Sequence, residues 1–355
     1  MEHRPLGASG IQVSVLALGS WRTYDRISRE DGIAVMTAAR EAGIDFLDDA
    51  RYDDETGNAP LATGYSEVVF GELFRAAGWK RDDVVVSNKL WWEFWPQQSA
   101  TEELDASLSR MQFDYVDLVY AERLPDGLSV EQAVSDVSEL IADGKARVWG
   151  VLNWPPGQIE AAVDVTIAQG LYEPCAVQLP YSLAHRGVVE NDELAAALER
   201  AGARVVASAV LAAGLLSGRG RTGRAGAVPD TPIWRRAFEI AERLRLLASE
   251  LDTTPACLAI AFALANPLVA TVLFGASPTR AGSRERGRRR AAGASERGGA
   301  LRAASSRLKL RPPRLSAASA ASSVACEWAA KANGSATAAS QTAAASRWAS
   351  SSGSC

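Results

Sequence analysis

The chain has 355 residues, of which 47% are hydrophobic and 23% charged, and its formal net charge is −4. This is the composition of a soluble globular enzyme, and the negative charge argues against a nucleic-acid-binding protein, which needs a basic face for phosphates. No apolar run approaches the roughly 18–20 residues of a membrane-spanning helix, and the start MEHRPLGASG lacks the apolar core of a signal peptide, so we expect a cytoplasmic protein.

The cysteines and histidines are too few and too scattered for a metal site. No Cys-x-x-Cys pair occurs in the sequence. Neither a zinc site nor a disulfide framework is therefore indicated, and we expect no metal ion. Catalysis must rest on Asp, Glu, Tyr, Lys or Ser side chains or on a bound organic cofactor. The residues concerned are Cys175, Cys257, Cys326, Cys355, His3 and His185.

Short apolar segments alternate with longer amphipathic ones up to about residue 277. The apolar segments are β-branched and apolar on both faces, as buried parallel strands are. Amphipathic segments such as SREDGIAVMTAAREAG, from the N-cap candidate Ser28 to Gly43, predict helices between them. Eight strands alternating with helices predict an α/β protein, a (β/α)8 TIM barrel. The predicted strands are Val13–Gly19, Ile44–Asp48, Asp83–Leu90, Tyr115–Glu122, Ala146–Asn153, Cys175–Pro180, Arg204–Val210 and Ala270–Ser277.

A doubly wound open sheet is the alternative fold. It would be favoured by a Gly-x-Gly-x-x-Gly turn directly after the first strand, and the sequence has none there. The glycine-rich run GRGRTGRAG at 218–226 follows the seventh predicted strand, so we interpret it as a loop.

The composition changes after about residue 280. From there the chain is rich in Arg, Ala, Ser and Gly, and its end, NGSATAASQTAAASRWASSSGSC, is of low complexity. Such a segment cannot bury enough apolar surface to fold alone. We therefore divide the chain into a barrel over residues 1–280 and a C-terminal tail over residues 281–355. The tail is interpreted as disordered, as the product of a reading-frame shift near residue 280 or, least favoured, as a nucleic-acid-binding arm.

In a parallel barrel the active site lies at the carboxyl ends of the strands. Lys89 follows the run VVVSN and points into a crowded barrel mouth, where it needs a charged partner. Tyr52 comes shortly after the second strand. For the other polar residues a loop or capping role is the alternative. Those that end predicted strands are Asp48, Asp49, Asn88, Glu122, Asn153, Gln178, Ser208 and Ser277.

An aspartate, a tyrosine and a lysine together can perform a specific reaction. A phenol has a pKa near 10 and is a poor acid at neutral pH. The ammonium of Lys89 would lower the pKa of Tyr52, while the carboxylate of Asp48 holds the lysine charged. Tyr52 then becomes a general acid for a carbonyl oxygen whose carbon receives a hydride.

Seven segments, in order, resemble the aldo-keto reductases over about residues 4–280. The resemblance implies a TIM barrel with an N-terminal β-hairpin and hydride transfer from a nicotinamide cofactor to a carbonyl compound. The spacing between Asp48 and Tyr52 is one residue shorter than the family's. The segments are RPLGASGIQVSVLALGSW, FLDDARY, GYSEVVFGELF, VVVSNKLWW, DYVDLVYAERLPD, GKARVWGVLNW and VQLPYSL.

The resemblance also implies roles for individual residues. Asp48, Tyr52 and Lys89 match the catalytic positions, with Tyr65 as a weaker candidate for the proton donor. A contact to the adenosine 2′-phosphate would imply NADP(H) as the cofactor. Arg280 could pair with this phosphate, and the alternative interpretation is that it is only part of the Arg-rich tail. The implied cofactor contacts are Asn153 and Gln178 at the nicotinamide carboxamide, Ser208 beside the nicotinamide, and Ser277 and Arg280 at the 2′-phosphate.

Three positions depart from the family pattern. Glu122 stands where a histidine is usual, Leu152 where a serine or threonine is common, and Ser208 where an aromatic ring stacks on the nicotinamide. Glu122 is a candidate catalytic residue, because steroid double-bond reductases of this superfamily are similar in having a glutamate there. If protonated, it would donate towards a developing enolate. The alternative is an ion pair with Lys89 or Arg123 that weakens the activity.

The resemblance therefore implies an NADP(H)-dependent oxidoreductase that reduces a small-molecule carbonyl compound with Tyr52 as general acid. Trp21 and Trp91, which follow two of the strands, are predicted to form a substrate pocket, with loop packing as the alternative. The alternative functions are an enone double-bond reductase using Glu122 and a degenerate, non-catalytic cofactor-binding or regulatory barrel. We expect no nucleic-acid or membrane partner.

Overall fold

The computed structural model describes residues 1–218 and 231–276, which form an N-terminal β-hairpin and a closed barrel of eight parallel strands. The predicted TIM barrel with its hairpin is thus confirmed. Ser277, Arg280 and the tail 281–355 lie outside the described residues. The hairpin strands are β1 (His3–Pro5) and β2 (Gln12–Ser14), and the barrel strands are β3 (Leu16–Gly19), β4 (Phe46–Asp48), β5 (Val85–Leu90), β6 (Val116–Ala121), β7 (Ala146–Leu152), β8 (Ala176–Pro180), β9 (Arg204–Ser208) and β10 (Val269–Phe274).

Helices between the strands cover the outside of the barrel. Three of them begin at a serine N-cap, Ser28, Ser99 or Ser129, whose hydroxyl accepts a backbone N–H of the first turn. Ser99 also forms a reciprocal capping box with Glu102. The helices are α1 (Arg29–Glu41), α2 (Tyr65–Ala76), α3 (Ala100–Met111), α4 (Val130–Ala142), α5 (Pro156–Gln169), α6 (Asp192–Arg200), α7 (Pro232–Glu250) and α8 (Pro255–Leu264).

The first predicted strand, Val13–Gly19, is two strands in the structure. β2 pairs antiparallel with β1, whereas β3 pairs in parallel with β4 and β10. The chain bends between them at Val15, and the Ser14 hydroxyl donates to the carbonyl oxygen of Leu16 across 2.6 Å. The segment VSVLALG is apolar except for Ser14 and Gly19, and this hid the break in the sequence. In the described part of the chain no single helix is long and apolar enough to cross a membrane; α7 and α8 reach that length and composition only as a pair, bent by 101°.

Candidate active site

A cavity of about 920 Å³ opens at the carboxyl ends of the barrel strands. Its wall is mainly apolar, with a few converging polar side chains, as is usual for a small-molecule site. Glu122 and Asn153, predicted to belong to the same site, are not among the described residues that line it. The predicted site residues that do line it are Trp21, Asp48, Tyr52, Lys89, Trp91, Gln178 and Ser208.

In the wall of this cavity, Lys89 is hydrogen-bonded to both Asp48 and Tyr52. Its Nζ donates to Oδ2 of Asp48 across 2.7 Å and to the Tyr52 hydroxyl across 3.2 Å. The side chain of Asp48 is 2% exposed and that of Lys89 3%, so the charged pair is shielded from water. The structure therefore brings the three residues into contact despite the short spacing between Asp48 and Tyr52.

The pairing of two strands explains this geometry. β4 and β5 run in parallel with Asp48 opposite Ser87. Side chains alternate between the two faces of a strand, so Ser87 and Lys89 lie on one face and both reach Asp48. The Ser87 hydroxyl donates to Oδ1 of Asp48 across 2.7 Å, while Lys89 occupies Oδ2. Both carboxylate oxygens of Asp48 are thus satisfied.

Asn88 lies between Ser87 and Lys89 on β5, and its side chain is hydrogen-bonded to Glu67 on α2. Its Nδ2 donates to Oε1 of the fully buried Glu67 across 2.8 Å, and Arg110 Nε donates to the other oxygen of Glu67 across 2.5 Å. Oδ1 of Asn88 accepts the backbone N–H of Lys89 across 2.6 Å. Sequence reasoning missed Glu67. The available signal was that strand alternation turns the amide of Asn88 towards the helices, where it needs a partner.

The pKa values of Tyr52 and Lys89 follow from burial and from their mutual contact. Burial raises the pKa of Tyr52 above its ordinary value, and the Lys89 ammonium opposes that shift. The expectation of a net lowered pKa for Tyr52 is therefore wrong, because burial outweighs the lysine. For Lys89 burial disfavours the charge, but Asp48 and Tyr52 together raise its pKa above the ordinary value. The phenol is accordingly neutral, the form that donates a proton.

Asp49 is a second buried carboxyl group next to this cluster. The Ser20 hydroxyl donates to its Oδ1, and its Oδ2 is buried without a partner among the described residues. Burial, and secondarily the charge of Glu67, raise the pKa of Asp49 well above its ordinary value. Asp49 ends the second predicted strand, but its raised pKa could not be inferred from the sequence, because the burial and the position of Glu67 arise only on folding.

We expect the Asp49→Asn substitution to change the pH dependence of stability. A carboxyl group with a raised folded-state pKa stabilises the fold fully below its unfolded pKa of about 3.9, and that contribution is lost as the pH rises through the folded value. The free energy of unfolding of the unchanged protein should therefore fall, relative to Asp49→Asn, as the pH rises above about 4. Urea unfolding of both proteins across this range measures the difference. A difference that does not vary with pH would contradict the assignment.

Glu122 contacts Asn153 and not the cavity. Its Oε1 accepts from Asn153 Nδ2 across 3.1 Å, and its Oε2 is buried without a partner in the described part of the chain. Burial raises the pKa of Glu122, while the hydrogen bond from Asn153 acts against this shift. The sequence left open an ion pair of Glu122 with Lys89 or Arg123. Within residues 1–218 and 231–276 this pair is not formed, and Glu122 is hydrogen-bonded to the amide of Asn153 instead.

Gln178 provides a direct test of whether a nicotinamide fits this cavity. The residue is 2% exposed, it lines the cavity, and its Oε1 is buried without a donor from the described residues. A buried oxygen acceptor without a donor costs free energy unless a ligand or water supplies one. A primary carboxamide supplies an N–H group of the required kind, so the residues present fit the group. Ser208, which is half-buried, lines the same cavity.

Aromatic rings form the outer part of the cavity wall. Trp91 meets the ring of Tyr52 edge to face with centroids 5.9 Å apart. Its backbone N–H donates to Oε1 of Glu103 on α3 across 2.8 Å, which fixes the loop. Trp21 is 50% exposed and lines the cavity from the loop after β3. Both predicted pocket residues therefore line the cavity, and Trp91 lies beside the phenol.

His185 also lines this cavity and was missed by sequence reasoning. The one available signal was the scarcity of histidine, since the chain has only two. Tyr65, the alternative proton donor, lies elsewhere. Its hydroxyl accepts from Arg29 Nη2 across 3.0 Å at the start of α2. Ser277 and Arg280, assigned to a 2′-phosphate, lie outside the described residues.

The sequence is similar to one described protein family and to proteins of two plants. A family model described as "Aldo/keto reductase family" matches residues 15–281. A "Probable voltage-gated potassium channel subunit beta" of Oryza sativa subsp. japonica is 31% identical in an alignment of 296 residues that covers 78% of this chain and 88% of the relative. A protein of the same description from Arabidopsis thaliana is 30% identical in an alignment of 301 residues, with the same coverage of 78% of this chain and 88% of the relative.

Proposed function

The chain belongs to the aldo/keto reductase family, and on that premise we propose that it is an NADP(H)-dependent oxidoreductase that reduces the carbonyl group of an aldehyde or ketone. The observation that carries the proposal is the position of Lys89 Nζ in the cavity wall, bonded to both Asp48 and the Tyr52 hydroxyl. Family membership supports an oxidoreductase with a nicotinamide cofactor. The choice of NADP(H) over NAD(H) depends on Ser277 and Arg280 and stays a prediction.

The proposed reaction assigns one task to each side chain. A bound nicotinamide nucleotide would supply the hydride that reduces the carbonyl carbon. Tyr52 donates its hydroxyl proton to the carbonyl oxygen, which becomes the alcohol. The ammonium of Lys89 stabilises the phenolate that Tyr52 leaves behind, and Asp48 keeps that ammonium charged and in place. Gln178 would hold the carboxamide, and the same role for Asn153, which is not among the described residues that line the cavity, stays a prediction.

The wall of the cavity favours a substrate with apolar or aromatic groups. Trp91 packs against the ring of Tyr52, and Trp21 lies on the exposed side of the same cavity. Among the described lining residues, the lysine and the arginine already have carboxylate partners, since Lys89 pairs with Asp48 and Arg22 with Glu55 across 2.6 Å. A neutral carbonyl compound therefore matches this wall better than a strongly anionic one.

Two other functions are weaker. Double-bond reduction would need Glu122 to donate into the cavity, and Glu122 is bonded to Asn153 outside the cavity wall. A non-catalytic regulatory barrel is suggested by the descriptions of the two plant relatives as probable channel subunits. Against it, the contacts among Asp48, Tyr52 and Lys89 are those that proton donation needs.

Cofactor binding followed by turnover tests the proposal. We expect NADPH to bind at micromolar concentrations, seen as a change in its fluorescence, and to be consumed with aldehydes or ketones. With an enone, the expected product is the allylic alcohol and not the saturated ketone. NADH, which lacks the adenosine 2′-phosphate, is the matched control that measures the contribution of this phosphate to binding. Absence of NADPH binding would refute the proposal. Binding without consumption across the panel would favour the regulatory alternative.

A further inference from the structure

Glu103 on α3 fixes the backbone of the loop that follows β5. Its Oε1 accepts the backbone N–H of Trp91 across 2.8 Å, and its Oε2 accepts the backbone N–H of Trp92 across 3.2 Å. Glu103 is buried, so water does not compete for these two hydrogen bonds. Successive N–H groups that point to one side form a concave site for an anion, and the carboxylate of Glu103 occupies it.

The loop has a backbone conformation that needs such support. Trp92 has a φ of +58°, in the left-handed region that residues other than glycine rarely adopt. Its side chain is buried in the hydrophobic core. The burial of Trp92 and the two hydrogen bonds to Glu103 therefore hold this turn together, and the turn determines where the preceding residue, Trp91, lies.

The ring of Trp91 depends on this backbone for its place in the cavity wall. Its indole N–H has no acceptor among the described residues, so no hydrogen bond of its own orients the ring. The ring meets Tyr52 edge to face with centroids 5.9 Å apart, which is a contact of modest strength. The position of Trp91 beside the phenol therefore follows mainly from the hydrogen bonds that Glu103 accepts.

A second attachment joins the same loop to the segment that carries Tyr52. Arg51, the residue directly before Tyr52, is buried, and its Nη2 donates to Oε2 of Glu93 in the loop across 2.5 Å. This ion pair remains when Glu103 is replaced. We therefore expect a Glu103 variant to displace Trp91 without releasing the whole loop.

We propose that Glu103 is a positioning residue, which holds the ring of Trp91 beside Tyr52 and thereby makes the cavity select carbonyl compounds that carry an aromatic ring. The inference rests on the proposed function, because it assumes a carbonyl compound next to Tyr52. An aromatic substrate packs against the fixed indole, whereas a short aliphatic chain gains little from it. Glu103 is not among the described residues that line the cavity, and it acts through Trp91.

Two aldehydes distinguish positioning from a general structural role. Benzaldehyde carries an aromatic ring, whereas propanal carries only a short aliphatic chain. We expect Glu103→Leu to lower the ratio of kcat/KM for benzaldehyde to kcat/KM for propanal about three- to tenfold, the size of one aromatic contact, mainly through a higher KM for benzaldehyde. Glu103→Gln keeps one acceptor oxygen and should lower this ratio less. Fluorescence titration should give an unchanged dissociation constant for NADPH, which shows that each variant is folded.

Glu102→Leu is the matched control on the same helix. Glu102 forms the capping box of α3 with Ser99 and accepts no hydrogen bond from Trp91 or Trp92. Its loss weakens the start of the helix and should leave the benzaldehyde-to-propanal ratio unchanged. In a Trp91→Ala background, Glu103→Leu should have no further effect on the ratio, because the ring that Glu103 positions is gone.

An unchanged ratio in Glu103→Leu would overturn the inference. An equal fall of the ratio in Glu102→Leu, or a fall of the same size in the Trp91→Ala background, would do so as well. If Glu103→Leu does not fold, Glu103→Gln, which has nearly the same shape, decides the question, and an unchanged ratio there overturns the inference. If the unchanged protein reduces neither aldehyde, the proposed function fails together with the inference. If it reduces both and the ratio does not move, the inference alone fails.

Discussion

The Tyr52→Phe variant is expected to bind NADPH as the unchanged protein does and to reduce carbonyl compounds about 10²- to 10⁴-fold more slowly, the usual contribution of a general acid. The substitution removes only the hydroxyl that lies 3.2 Å from Lys89 Nζ. The ring remains to pack against Trp91. Initial rates at saturating cofactor, together with the fluorescence titration, separate the loss of chemistry from a loss of binding.

Tyr65→Phe is the matched control for this experiment. Tyr65 is the alternative proton donor considered from the sequence, and its hydroxyl accepts from Arg29 and not from Lys89. It should keep the full rate. Comparable activity in Tyr52→Phe and the unchanged protein would show that Tyr52 does not donate the proton. A large loss in Tyr65→Phe with an active Tyr52→Phe would transfer the role to Tyr65.

Breaking the Asp48–Lys89 pair is expected to give the largest loss of stability. Each single substitution, Asp48→Asn or Lys89→Met, leaves one buried charge without its partner, at a cost of about 3–5 kcal/mol in the free energy of unfolding. The double substitution removes both charges and should cost less than the sum of the two. Such a loss approaches the whole stability of a typical domain, about 5–15 kcal/mol. Urea unfolding at neutral pH measures all three variants.

A surface ion pair serves as the control for this double-mutant cycle. Lys145 Nζ lies 2.7 Å from a carboxylate oxygen of Asp105, whose side chain is half exposed. Lys145→Met should cost less than about 1 kcal/mol, because water screens the pair. If Asp48→Asn and Lys89→Met each cost no more than Lys145→Met, or if their effects add, the buried pair is not a coupled unit.

Much of the fold and the central cluster could be predicted because both depend on local patterns. Short β-branched segments between amphipathic ones indicate parallel strands, and the ends of those strands share one rim. Lys89 could be placed at that rim because a lysine after a buried strand needs a partner. The two-residue alternation along β5 then puts Ser87 and Lys89 on the same side as Asp48.

The remaining site features depend on contacts between distant segments. The burial that raises the pKa of Tyr52, and the proximity of Asp49 to Glu67, arise only when helices and strands come together. Glu122 could be recognised as unusual, but its partner Asn153 belongs to another strand end, and the sequence suggested two charged partners instead. The split of the first strand was likewise hidden, because apolar residues continue through the bend at Val15.

Deuteride transfer from labelled NADPH tests the central claim most directly. NADPH carrying deuterium at the transferable position of the nicotinamide is incubated with an aldehyde, and mass spectrometry locates the label in the alcohol. The proposed reaction predicts one deuterium at the former carbonyl carbon with the unchanged protein and a strongly reduced yield with Tyr52→Phe. A protein that binds NADPH but places no deuterium on any carbonyl carbon would contradict the assignment as a reductase.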